Sequence, residues 1–346
     1  MNRVIDDDNL NPDWFHVGAK YPADLEYGFD QRDILTQTPP FPNFFVIGAP
    51  RCGTTAICRY LARNPQICLS RPKEPHYFSR LDHDPSMAEL KRDYLDPCFG
   101  HYEETHKALG EGSVSYLYLP GVIERITQFN PDSRFIVLVR NPLSMLPSYH
   151  LRMQFLLQED EPDFARAWEF ESERERGNHI PKRCLDTRLL LYSQAAQFGV
   201  QVERLFDVAG RERSHVIVFD DLKSDPLSVY RAALGFLNVD YDGQTEFERR
   251  YESRMYRYGW LQRLFFVPAT KTGPAVDTLE RRTRKYNEDG TRHRGLLKRM
   301  TDFNRVPMSP RPLTPQMVER VSETLRPDVM RLSQLIGRDL SFWLED

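Results

Sequence analysis

The sequence predicts an α/β fold with a central parallel sheet flanked by helices. Phe44–Ile47 and Phe135–Val139 are short, β-rich runs that are apolar throughout. Strands covered on both faces read this way, as parallel strands do. Helical patterns alternate with such runs along the chain, the order that builds a parallel sheet. The first run also passes directly into a glycine-framed loop, Val46-Ile-Gly-Ala-Pro-Arg-Cys-Gly-Thr-Thr55, and then into a helix.

The elements follow in order. Residues 1–40 are polar, end in Thr38-Pro39-Pro40 and read as an N-terminal extension, leaving 41–346 as the folded domain. After the loop, Thr54 to about Arg63 is helical, with Ile57, Tyr60 and Leu61 on one face. Asn64-Pro65 ends it, because proline disfavours helical geometry in the residue before it. Past Phe135–Val139 stands Arg140, and Pro142 suits the first turn of a further helix. Pro147 is expected to bend that helix. A third strand is read at Val216–Phe219, before Asp220-Asp221, with helices at Leu189–Val208, Ser228–Leu237 and Pro315–Leu335. Residues 158–184, charged and interrupted by Gly177 and Pro181, read as exposed, mobile surface.

Composition narrows the function. The 346 residues carry a net charge of −3, which removes any global polyanion-binding signature and gives no sign of a nucleic-acid partner. Residues 249–311 are the exception, with 16 Lys/Arg against 6 Asp/Glu; that block reads either as a cover for an anionic ligand or as a solvated face. Five cysteines without a CxxC pair suggest free thiols in a reducing compartment. The first residues carry Asp6-Asp7-Asp8 and no apolar run, and no stretch approaches the ~20 apolar residues that span a bilayer. A cytoplasmic protein without transmembrane segments is expected. No histidine pair has metal-ligand spacing, so no metal site is expected.

The loop at 48–55 carries the chemistry. Gly48 and Gly53 frame four residues, as in the phosphate loop of nucleoside triphosphate enzymes, but Thr54 stands where that loop requires lysine. A strand–loop–helix turn aims backbone N–H groups and the helix dipole at one anion. Arg51 adds a planar charged fork, and Thr54 and Thr55 add hydroxyls. The anion should therefore be shorter than a triphosphate and need no metal. A tight turn without a ligand is the plain alternative. Cys52 reads as a small loop residue, since nothing places a base beside it.

Arg51-Cys-Gly-Thr-Thr55 resembles the 5′-phosphosulfate loop of sulfotransferases that use 3′-phosphoadenosine 5′-phosphosulfate (PAPS). Arg140-Asn-Pro-Leu-Ser-Met-Leu-Pro-Ser148 is similar to that family's 3′-phosphate motif. Further likeness lies in His215–Leu222, Gly235-Phe-Leu237 and Leu332–Trp343, so it covers roughly 43–344. The resemblance implies a P-loop-like sulfotransferase fold. It implies co-substrate contacts from Arg51, Cys52, Gly53, Thr54, Thr55, Arg140 and Ser148. The acceptor would be a small molecule, glycolipid or carbohydrate.

Lys73-Glu-Pro-His-Tyr-Phe78 resembles the stretch that supplies a catalytic glutamate in carbohydrate-type members, which makes Glu74 the expected base and His76 the runner-up. A bound polyanion beside Glu74 is expected to raise its pKa. Glu111-Gly-Ser-Val-Ser-Tyr116 departs from the family pattern, with Gly112 at the position of a catalytic lysine. That role would pass to Arg51, Lys73 or a residue of 249–311. Tyr77, Tyr116, Tyr118, Phe155 and Trp168 are either acceptor-pocket or core residues. A magnesium-dependent kinase using Asp220-Asp221 and a catalytically silent module of the same fold are the alternatives.

Overall fold

The computed structural model describes residues 40–248, 253–265 and 303–345. The expected extension, apart from Pro40, and most of the basic block at 249–311 lie outside these residues. Five strands form one parallel sheet: β1 (Phe44–Gly48), β2 (Ile67–Leu69), β3 (Ala108–Glu111), β4 (Arg134–Val139) and β5 (Ser214–Val218), in the order β2-β3-β1-β4-β5. Phe44 sits opposite Gly110 of β3 on one side and Arg134 of β4 on the other. All of β1, and β4 from Phe135 onward, is buried, which is why both could be read as unbroken apolar runs.

The flanking helices are α1 (Thr54–Arg63), α2 (Val122–Phe129), α3 (Pro142–Phe155), α4 (Phe198–Ala209), α5 (Pro226–Leu237) and α6 (Pro315–Ile336), with shorter helical turns between them. The chain leaves β1 toward β2 and leaves β4 toward β5, in opposite directions. The crevice past the carboxyl ends of β1 and β4 is therefore the switch point where sheets of this kind bind ligands. A ribbon of β6 (Arg254–Tyr256) and β7 (Arg305–Pro307) packs against α3.

Three expectations are corrected. Residues 189–208 are not one helix. A 3-10 turn at Thr187–Leu190 and a short helix at Tyr192–Ala195 precede α4. Asp328 of α6 takes the Gly199 and Val200 amides at 2.8 and 2.9 Å, which fixes the start of α4 near Phe198. Residues 158–184 are not simply an exposed surface. They hold helices at Phe164–Glu169 and Glu171–Glu175, and Arg174 pairs with Glu159 at 2.8 Å with both side chains buried. The third strand is Ser214–Val218, and Phe219 already opens a helix that carries Asp220 and Asp221. Pro147 lies inside α3, which runs through it to Phe155.

Candidate active site

The loop between β1 and α1 is shaped by its two glycines. A Cβ on Gly48 would lie 2.7 Å from Leu117 Cβ. Gly53 has φ of 97°, and a Cβ there would meet Leu222 at 2.9 Å and Phe219 at 3.0 Å. Only glycine fits either position without a shift. Arg51 itself takes a left-handed backbone, with φ of 62°. The Gly53 cap supplies no side-chain acceptor, so the first amides of α1 have no side-chain cap.

The chain brings the two expected phosphate motifs together. Arg51 Nε donates to Ser148 Oγ at 2.9 Å, and its Nη2 donates to Ser253 Oγ at 2.7 Å. Arg140 Nη1 donates to the Arg51 carbonyl at 3.1 Å, Nε donates to Ser144 Oγ at 2.9 Å, and the guanidinium lies 4.7 Å over the Phe219 ring. Burial, then the charges of Arg152 and Arg140, bring Arg51 down to about 10. Of the loop hydroxyls, Thr54 is buried and Thr55 is exposed. Cys52 is fully buried and burial pushes its thiol up to about 12, so it is a packing residue rather than a nucleophile.

Beyond β2, Lys73, Glu74 and His76 form a second cluster. Lys73 Nζ donates to a Glu74 carboxylate oxygen, and His76 Nε2 lies 3.3 Å from the other. Burial works to raise the Glu74 carboxyl, but the Lys73 ammonium and then His76 overcome it and hold it at about 2. The expected upward shift is thus corrected for the free protein. The sequence argument counted the bound polyanion and omitted the adjacent cation. His76 is buried, and burial holds its imidazole below the usual value.

The backbone N–H of His76 donates to Ser113 Oγ at 3.0 Å, and its Nδ1 is 2.7 Å from Ser115 Oγ. Ser113 in turn donates to Glu111 at 2.7 Å, and the Tyr94 and Tyr116 hydroxyls donate to the same carboxylate at 2.8 and 2.9 Å. Glu111 is fully buried; burial lifts it to about 7 against the pull of these three hydroxyls. This network was missed because Glu111, Ser113 and Tyr116 were read only for the absent lysine between them. The space explains that absence: a Cβ on Gly112 would lie 2.6 Å from Cys58 Sγ and 3.3 Å from Lys73 Cε. Lys73 fills the volume, its Nζ 3.3 Å from the Gly112 carbonyl.

Tyr77, Tyr116, Phe155 and Trp168 are core residues, each under 9% exposed, and Tyr118 is partly buried. Asp221 is engaged by both Nη atoms of Arg338, and Asp220 is exposed. Among the described residues, no three His, Cys, Asp or Glu side chains gather as a metal set, and no helix is long and apolar enough to cross a membrane. Arg152 and Ser253 were not singled out by sequence. The available signal for Arg152 was its place four residues after Ser148, on the same helix face.

A parallel five-stranded sheet with flanking helices and a glycine-framed loop at its switch point defines a P-loop-like α/β fold. No protein-family model matches the chain. It is 30% identical over 131 residues to the membrane-associated sulfotransferase kil1 of Dictyostelium discoideum, covering 37% of this chain and 26% of that one. It is 27% identical over 152 residues to carbohydrate sulfotransferase 15 of Homo sapiens, covering 32% and 27%. The chain thus spans about a quarter of the length of these curated relatives. Among solved structures, a sulfotransferase from Alicyclobacillus acidocaldarius aligns with a TM-score of 0.59 at 26% identity, over 88% of this chain and 99% of that one. In fold and in sequence the chain is thus similar to sulfotransferases.

Proposed function

We propose that the protein is a sulfotransferase that moves a sulfonate from PAPS to a hydroxyl or amine of a small-molecule, lipid or carbohydrate acceptor. The observation that carries this is the junction of the two anion sites. Arg140 reaches the backbone of Arg51, and Arg51 reaches Ser148, all at the crevice past β1 and β4. One doubly charged nucleotide fits such a pair. The loop amides, Arg51 and Thr55 would take the 5′ end, and Arg140 with Ser148 the 3′-phosphate.

In the reaction the acceptor oxygen or nitrogen forms a bond to sulfur as the sulfur–oxygen bond to phosphate breaks. The electron pair stays on the phosphate oxygen of adenosine 3′,5′-bisphosphate. The acceptor's proton passes to Glu74, with His76 holding that carboxylate's orientation through Ser113 and Ser115. Loop cations stabilise the charge that collects on the leaving oxygen. For Glu74 to accept a proton near neutrality, its pairing with Lys73 must loosen in the loaded site.

The test is an assay with PAPS and a panel of acceptors, next to Arg51→Ala and Glu74→Ala. Adenosine 3′,5′-bisphosphate should raise the melting temperature of the wild type and, far less, that of Arg51→Ala. A wild type that is neither stabilised by this nucleotide nor binds it refutes the reading. Binding without transfer, indifferent to Glu74→Ala, would instead identify a silent nucleotide-binding module.

A further inference from the structure

Among the described cations near the crevice, Arg51, Arg140 and Lys73 each have polar partners. Arg51 is held by Ser148 and Ser253, Arg140 by Ser144 and the Arg51 carbonyl, and Lys73 by Glu74. A fourth is Arg152, on α3 one turn past Ser148. Residues four apart on a helix have Cβ atoms roughly 5–6 Å apart on one face. Arg152 is partly buried, and its guanidinium lies over the Phe155 ring at 5.4 Å. Among the described residues, no hydrogen bond or ion pair joins that guanidinium.

Its neighbours locate it. Arg152 is near enough to Arg51 for its charge to help lower that residue, and near enough to Glu74 to feel the carboxylate. It is thus within electrostatic reach of both Arg51 and Glu74, with Arg305 of the β6–β7 ribbon as a further cation near it. Burial, partly offset by Glu74, brings Arg152 itself to about 10. A partly buried cation with no partner, crowded by a second cation, destabilises the empty site; an anion entering between them removes that penalty.

We propose that Arg152 is the cation that binds the sulfonate group during its transfer. The inference rests on the sulfotransferase reading above. In that reaction sulfur passes from the phosphate oxygen, on the loop side, to the acceptor atom, on the Glu74 side. Arg152, one helical turn from Ser148 and within electrostatic reach of both Arg51 and Glu74, donates hydrogen bonds to the sulfonate oxygens and keeps its own protons throughout. Its planar fork suits two such oxygens at once.

PAPS and adenosine 3′,5′-bisphosphate differ by the sulfonate alone, so their dissociation constants separate this contact from the rest of the nucleotide site. For Arg152→Gln, PAPS should bind about tenfold or more weakly, as expected for a charged hydrogen bond lost. Binding of the bisphosphate should change by less than about threefold. Arg152→Lys should recover part of the loss, keeping the charge without the fork. The melting temperature of Arg152→Gln should stay within about a degree or two of the wild type, because only the contact with the Phe155 ring is lost.

Equal weakening of both nucleotides, or of neither, would overturn the assignment. So would a drop of several degrees in the melting temperature of both variants, which would mark a structural role. Failure of the wild type to bind either nucleotide would sink the sulfotransferase reading and this inference with it.

Discussion

At the carboxyl ends of β1 and β4, Arg51, Arg140 and Arg152 crowd together. Among the described residues their partners there are hydroxyls, a carbonyl and aromatic rings. Among the described residues no carboxylate comes within ion-pair distance of them. Past β2 and β3 the opposite holds. Glu74 has Lys73 and His76 beside it, and Glu111 accepts from three hydroxyls. Among the described residues, one region carries cations without an ion-pair partner, while the other is paired from within. The contrast separates two tasks. On the proposed function, the cationic end gains when an anion arrives, whereas the carboxylate end is internally paired in the free protein. Substitutions in the first region should therefore act mainly on binding, and those in the second on rate or on stability.

The largest effect is expected at Glu74. Glu74→Gln keeps the shape and removes the base, so the transfer rate should fall by about 10²–10⁴, the usual range for a lost general base. Affinity for adenosine 3′,5′-bisphosphate should stay within about threefold in calorimetry. Loss of nucleotide affinity equal to the loss of rate would erase the distinction between the two regions.

The next effect tests the loop as a shape. Gly53→Ala places a Cβ against Leu222 and Phe219 in a left-handed backbone. Strain and overpacking together should cost about 2–4 kcal/mol in urea unfolding. The nucleotide should bind more weakly as well, since the amides that face it move. Unchanged stability would mean that the loop can take another path.

These two regions also differ in how well the sequence disclosed them. β1, its loop and α1 were legible to the residue or nearly so. The apolar run, the two glycines and the Asn64-Pro65 stop are local signals, and local signals set local structure. β4 and the entry to α3 at Pro142 were legible for the same reason, with Asn141 accepting from the Leu143 amide at the cap. By contrast β2 and β3, with three and four residues, carry too few side chains to show a period. Arg174 and Glu159 read as surface because charge usually is, yet each buries the other. Asp328 sets the start of α4 from well over a hundred residues away, which no local window contains. Arg152 was silent for the same reason: its meaning depends on which groups the fold places around it.

Glu111 sharpens the comparison through pH. Its ordinary value near 4.5 is raised to about 7 in the folded chain, so the folded state binds the extra proton between those values. Stability from this group is therefore present below about pH 4.5 and is lost as pH rises through about 7. The change across that window is at most about 3 kcal/mol, from 1.36 kcal/mol per unit. Glu111→Gln should flatten this part of the curve when urea unfolding is measured at pH 5 and pH 8. A slope that survives the substitution would assign it to another group.

The smallest effect separates two adjacent hydroxyls. Thr54 and Thr55 both open α1, yet Thr54 is buried under the loop and Thr55 is exposed toward solvent. An exposed hydroxyl at a helix start has nothing to lose in the free chain, so Thr55→Val should leave the melting temperature unchanged. If Thr55 donates to the 5′ end of the nucleotide, its removal costs one hydrogen bond, about 0.5–1.5 kcal/mol, or roughly two- to tenfold in affinity. Thr54→Val should show the reverse, a lower melting temperature with affinity changed only through the loop. Matching losses at both positions would place the anion deeper against α1 than the exposed face of the loop allows.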